Sequence, residues 1–180
     1  MISLKGMVNQ TKARLISDSV DVFIERNINF FTKSFLIMLC VYVESYVKEI
    51  GEAIIKKVNA SLQSSHVPNN LIYWSVKTNG DIENSKLEFS DFQIKLGKKE
   101  LDDKISANPF RIAEFFKLLG INIEDDDIKD IVNTAINPLV GRRNSIIHYN
   151  DNASSVSLDD VLRYVDDAIV YIQKIDEKCE

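Results

Sequence analysis

Apolar positions along this chain recur mostly with the period of an α-helix. Leu15, Ile16, Val20, Phe23 and Ile24 predict a first helix from about Lys12 to Glu25. A longer one runs from about Phe30 to Ala60. Its stripe is Leu36, Leu39, Val43, Val47, Ile50 and Ile54, no proline stops it, and it is expected to be the central, most buried element. Asn108-Pro109 reads as N-cap and first helical residue of a short helix that Gly120 closes. Ile128, Ile131, Val132 and Ala135 continue as another helix, until Asn137-Pro138 reads again as a cap followed by proline, so that the motif helix starts, or restarts after a kink, at Pro138. Ser157-Leu158-Asp159-Asp160 opens the last helix, with its stripe at Leu158, Val161, Leu162, Val165, Ile169, Ile172 and Ile175.

Between about Ser61 and Ile105 this periodicity lapses. Pro68-Asn69-Asn70, Thr78-Asn79-Gly80-Asp81 and Gly97-Lys98-Lys99 are turn and loop signals, and the stretch reads as a long, loop-rich insertion. Leu71–Val76 and Leu87–Phe89 fit short strands or helical turns equally well. The fold class is therefore all-α: one domain over 1–180, a bundle of four to six helices with an insertion at about 61–105, and no internal repeat.

Composition sharpens this picture. With 180 residues, 45% of them hydrophobic, the chain can bury one sizeable core. Met1-Ile2-Ser3-Leu4-Lys5-Gly6 lacks the apolar core of a signal peptide, which predicts a cytoplasmic protein. The apolar run Phe35–Val43 is bounded by Lys33 and Glu44 and falls short of the ~20 residues a bilayer requires, so it predicts a buried helix and no membrane partner. Cys40 and Cys179 form no C-x-x-C pair, and His66 and His148 are far apart. A zinc site is not expected, and no cofactor is. The net charge of -5 argues against a generally nucleic-acid-attracting surface. A local basic cleft built from Lys95, Lys98 and Lys99 and from Arg142 and Arg143 remains compatible with it. Glu124-Asp125-Asp126-Asp127 and Asp159-Asp160 fall at helix starts, where carboxylates complement the helix dipole.

The chemistry is concentrated in Leu139-Val140-Gly141-Arg142-Arg143-Asn144-Ser145-Ile146-Ile147-His148. Arg143 is a fork-shaped permanent cation suited to phosphate, and His148 is a group able to move a proton. On a helix, a residue five positions on lies roughly 7.5 Å along the axis and about 140° around it, so the two flank a cleft. Asn144 and His148 share a face, which lets the amide fix the imidazole tautomer. The bland alternative is a solvated arginine followed by a capping histidine. Glu44, a carboxylate among apolar residues of the central helix, has two readings. It either pairs with Lys48 one turn on or crosses the bundle to orient Arg143. His66 reads as an ordinary loop histidine, and Phe30, Phe31, Phe35, Phe115 and Phe116 as core.

A hydrophobic pair, a double-basic step, Arg143-Asn144-x-x-x-His148 and a long apolar helix earlier in the chain resemble the HEPN superfamily (higher eukaryotes and prokaryotes nucleotide-binding). The resemblance is strong at the motif helix, weaker at the long and last helices, and slight over 61–105. It implies a metal-independent endoribonuclease, of the kind found in toxin–antitoxin and defence systems, that cleaves RNA by 2'-hydroxyl attack and leaves a 2',3'-cyclic phosphate. It implies a homodimer whose composite site contains Arg143, Asn144 and His148 of each chain, supported by Glu44. Arg142, Lys95, Lys98 and Lys99 would grip the RNA. Related toxins often carry tyrosine two places after the histidine, whereas here Tyr149 follows His148 directly. Restraint by an antitoxin protein that modifies that tyrosine is correspondingly doubtful. The alternative is a non-catalytic HEPN module that binds a protein partner or a nucleotide.

Overall fold

The protein is described by a computed structural model covering residues 1–17, 19–76, 86–96, 98–150 and 153–179, with Lys98 described by its backbone alone. The turn signals at Thr78-Asn79-Gly80-Asp81, Gly97 and Asp151-Asn152 lie outside the described residues. Eight α-helices make up the fold among those residues: α1 (Ile2–Leu15), α2 (Val22–Ser65), α3 (Asn69–Ser75), α4 (Lys98–Lys104), α5 (Pro109–Leu118), α6 (Asp126–Ile131), α7 (Asn137–Tyr149) and α8 (Leu158–Cys179). The all-α class is as the sequence predicts. The only strand-like pairing among these residues is an isolated antiparallel bridge between Pro68 and Asp91. The residues fall into two compact units, Met1–Lys48 with Lys104–Glu180, and Glu49–Asp103.

The first helices differ from expectation in their bounds. The apolar rhythm from Leu15 to Ile24 crosses a break at which α1 has ended, and Val20, Phe23 and Ile24 belong to the entry of α2. Asp21 makes the break, because its Oδ1 accepts the N–H groups of Phe23 at 3.1 Å and Ile24 at 3.3 Å, the orphan donors of a helix start. α1 lies earlier, over Ile2–Leu15, and buries only Leu4, Val8 and Thr11. The long helix starts earlier and ends later than its stripe alone indicates. It contains a stretch long and apolar enough to cross a bilayer by length and composition. Leu36, Leu39, Cys40, Val43 and Val47 are nevertheless at most 1% exposed in the protein's own core. Phe30 departs from the expected core role: it is 65% exposed, its ring edge-on to Phe31.

In the first unit, α8 is the organising element. Ser157 and Asp160 form a reciprocal cap: the Ser157 hydroxyl accepts the Asp160 N–H at 3.0 Å, and the Asp160 carboxylate accepts the Ser157 N–H at 3.0 Å. Val161, Val165, Ala168, Tyr171 and Ile175 then line one fully buried face. Lys178 and Lys174 reach Asp125 and Asp127 at the start of α6 at 2.7 and 2.9 Å. Asn108 caps α5 as its sequence predicts, accepting the N–H groups of Phe110 and Arg111. Gly120 follows the helix at φ +80°, which a side chain would strain.

The stretch expected to be loop-rich contributes α3 and α4. In the second unit, Leu71–Ser75 is helical, which decides between strand and helical turn. Asn69, 3% exposed, anchors this unit. Its Nδ2 faces the carbonyls of Leu87, Ser90 and Asp91 and the Ser90 hydroxyl at 2.8–3.2 Å, tying the 86–91 turns to α3. Asn59 grips the following segment by accepting the Ile94 N–H and donating to its carbonyl, at 2.8 and 2.9 Å. Asn69→Ala strands several part-buried acceptors, and it is expected to destabilise this unit by roughly 1–2 kcal/mol. Hydrogen exchange at the Phe92 and Ile94 amides is the check, and unchanged protection there would refute the anchoring role.

Candidate active site

The backbone leading into the motif helix is unusual. Asn137 does not cap a new helix; it is itself helical, at φ -60° and ψ -46°, and the chain passes from α6 into α7 through a π-helical turn, Val132–Ile136. The expected cap at Asn137-Pro138 is thereby corrected. The Asn137 N–H bonds to the carbonyl of Val132, five residues back, and this widened turn makes room for a proline ring that would clash in a regular helix.

Along α7, Leu139, Val140 and Ile146 are buried and fix the inward face. Arg143 lies one turn after Leu139 and one before Ile146, so it too points inward. It meets α2 there. Its Nη2 is 3.8 Å from Glu44 Oε1, its Nη1 donates to Asn144 Oδ1 at 3.1 Å, and both members of the Glu44–Arg143 pair are about 30% exposed. Arg143 Nε is buried with no acceptor among the described residues. Glu44 Oε1 also accepts the Ala107 N–H at 2.8 Å, at the approach to α5. The crossing from Glu44 to Arg143 is a contact the structure makes. At this separation and exposure, the ion pair stabilises by roughly 1 kcal/mol or less, so its main effect is to aim the guanidinium. Cys40, one turn before Glu44, lies beside the pair; burial pushes its thiol pKa up to about 12, against the pull of Arg143, and keeps it protonated and unreactive.

His148 lies on the other side of α7, exposed, with no hydrogen-bond partner among the described residues. Its nearest ring is that of Tyr149, edge-on at 6.4 Å between centroids. Asn144 does not orient it: the amide oxygen is taken by Arg143, one position back, and no bond joins it to the imidazole. The end of α7 is instead held by α2. Asn150 adopts the left-handed conformation at φ 49°, ψ 36°, and Lys33 Nζ donates to its carbonyl and side-chain oxygens at 3.3 and 3.0 Å. A cation here also complements the C-terminal dipole of α7. Asn29 accepts the Ala153 N–H at 2.9 Å. Sequence reasoning passed over Asn29 and Lys33. The only signal was Lys33 bounding an apolar run.

Arg142 is exposed and faces the start of α8. There Asp160 is held below the usual carboxylate range, first by the Ser157 hydroxyl and N–H and then by Arg163 and Arg142. Lys95 and Lys99 are exposed and, with Lys98, belong to the compact unit Glu49–Asp103. His66 is a loop residue whose Nδ1 lies 3.0 Å from Asp91. Among the described residues, no group of three or more His, Cys, Asp or Glu side chains is arranged to hold a metal ion.

A model of the RiboL-PSP-HEPN family matches residues 9–180. The chain belongs to that family. No curated protein and no solved structure matches it. The RiboL-PSP-HEPN match spans 61–105 as well as the motif helix, so the stretch over which the resemblance was slight lies within the family's pattern. Membership also accounts for the all-α class.

Proposed function

We propose that this RiboL-PSP-HEPN chain is a metal-independent endoribonuclease acting as a homodimer. The carrying observation is the division of roles on α7. Arg143 is turned inward and aimed by Glu44 and Asn144, while His148, about 140° around the helix, faces outward with no hydrogen-bond partner among the described residues. One chain therefore presents a phosphate-binding cation and a proton carrier that do not converge. A second copy of α7 placed against the first would bring both pairs to one cleft, and would supply two histidines for a reaction with two proton transfers.

In that cleft the ribose 2'-hydroxyl attacks the adjacent phosphorus. One His148 takes the hydroxyl proton as the new O–P bond forms, and the other gives a proton to the departing 5'-oxygen. Arg143 neutralises the charge that builds on the phosphorane oxygens. The products are a 2',3'-cyclic phosphate and a 5'-hydroxyl, and DNA resists because it lacks the nucleophile. Asn144 keeps the guanidinium in plane, and Arg142, Lys95, Lys98 and Lys99 contribute backbone contacts. Cellular roles consistent with this chemistry are those of a toxin or antiviral effector, restrained by an antitoxin protein where one exists, in the cytoplasm. The net charge of -5 favours a second reading, a non-catalytic module that binds a protein partner.

The test is incubation of the purified protein with mixed RNA in excess EDTA, followed by analysis of product ends. Fragments ending in 2',3'-cyclic phosphate are expected, with DNA intact; cleavage that stops in EDTA would sink the metal-independent mechanism. Glu44→Gln keeps an acceptor for Ala107 but removes the charge facing Arg143. Cleavage is expected to fall on the order of 10- to 100-fold while stability changes by less than about 1 kcal/mol. A stability loss that fully accounts for the activity loss would reduce Glu44 to a structural residue.

A further inference from the structure

Among the described residues Tyr171 is the largest fully buried side chain, and its hydroxyl has no hydrogen-bond partner there. Buried hydroxyls are almost always satisfied, and one left alone costs free energy that a ligand's acceptor would recover. Burial also raises the phenol pKa far above its usual range, so the hydroxyl is neutral and available as a donor. Tyr171 lines a cavity of about 200 Å³ between α5, the α6–α7 passage and α8.

The cavity walls are apolar, formed by Ala113, Ile123, Ile128 and Val132, with Phe110 also part of the lining. Phe110 is 67% exposed, so its ring is free to move over the cavity. Lys129 and Glu124 also line the cavity and cancel in charge, which selects against a strongly ionic ligand. An apolar cavity of ~150 Å³ accepts benzene, so this one has room for a single substituted ring. Val132 and Asn137, at the start and just past the end of the π-helical turn, are both in the lining. The cavity thus adjoins the widened turn from which α7 departs.

We propose that this cavity binds a small, uncharged, ring-sized molecule carrying a hydrogen-bond acceptor, with the Tyr171 hydroxyl donating to it and the Phe110 ring closing over it. Because Tyr171 is fully buried, its hydroxyl is reached only as the lining rearranges around the ligand. Occupancy is sensed at the root of α7 through Val132 and Asn137. This site is separate from Arg143 and His148 and stands whether or not the chain cleaves RNA.

The test uses benzamide, a neutral ring with a carbonyl acceptor, and toluene, a similar ring without one, titrated into the full chain under amide-resolved NMR. Saturable shifts at the Val132 and Asn137 amides are expected with both. Tyr171→Phe, which preserves the packing volume, should weaken benzamide roughly three- to tenfold and leave toluene unchanged. Ala113→Trp, which fills the cavity from α5, should abolish both; circular dichroism checks that each variant is folded. Benzamide binding equally to wild type and Tyr171→Phe, or producing no saturable shift at Val132 and Asn137, would overturn the proposal. Tyr171→Phe decides the matter even if Ala113→Trp fails to fold.

Discussion

His148→Ala is expected to slow RNA cleavage by on the order of 10²–10⁴-fold while leaving the folded chain intact. The expectation follows from where the imidazole sits. It is exposed at the last turn of α7 and makes no hydrogen bond among the described residues, and the end of that helix is held by Lys33 and Asn150. Removing the ring therefore deletes a proton carrier and little else, and unfolding free energy should change by less than about 0.5 kcal/mol. Single-turnover cleavage of RNA beside a denaturant titration separates the two effects. A variant that is stable and still cleaves at the wild-type rate would remove His148 from the mechanism, and the protein-binding reading would move ahead.

Arg143→Lys is expected to cost on the order of 10²–10³-fold in cleavage although the charge is retained. The guanidinium presents Nη1 to Asn144 and Nη2 toward Glu44 from a single rigid plane. A lysine ammonium is a point charge on a flexible stem and cannot hold both while also meeting a phosphate. Because the positive charge still faces Glu44, stability should shift by less than about 1 kcal/mol. The loss should fall on kcat more than on KM, since the interaction removed is with charge that develops during the reaction. A variant with unaltered kcat would mean that any cation suffices there and that the aim of the fork is irrelevant.

What the sequence made legible was what local chemistry encodes. Asn108-Pro109, Gly120 and the Ser157–Asp160 pair each satisfy their helix end within a few residues, so boundaries read from them agree with the structure. The α1–α2 break was illegible because apolar spacing runs through it, and only the cap by Asp21 interrupts the backbone. The π-helical turn has no such code either; Asn137-Pro138 repeats the dipeptide that caps α5, but tertiary packing of α8 against the turn keeps the helix going. At the site, the residue types on α7 could be read from spacing. Their directions could not, since the inward turn of Arg143 depends on what α2 places opposite, and the reach of Glu44 to Arg143 is a tertiary matter. Asn144 was misread for a related reason: an adjacent guanidinium competes for its oxygen and wins over an imidazole one turn away.

The hydrogen bond from the Ala107 N–H to Glu44 has a consequence for how this protein would behave in a mutational survey. The donor is main chain, so no ordinary side-chain replacement deletes it, and an alanine scan cannot alter position 107 at all. A scan would register this contact only through Glu44→Ala, which removes the acceptor and the charge facing Arg143 together. Only a change to the backbone itself, such as Ala107→Pro or an ester in place of the amide, separates the two and shows how far Arg143 is steered by a residue with no functional group.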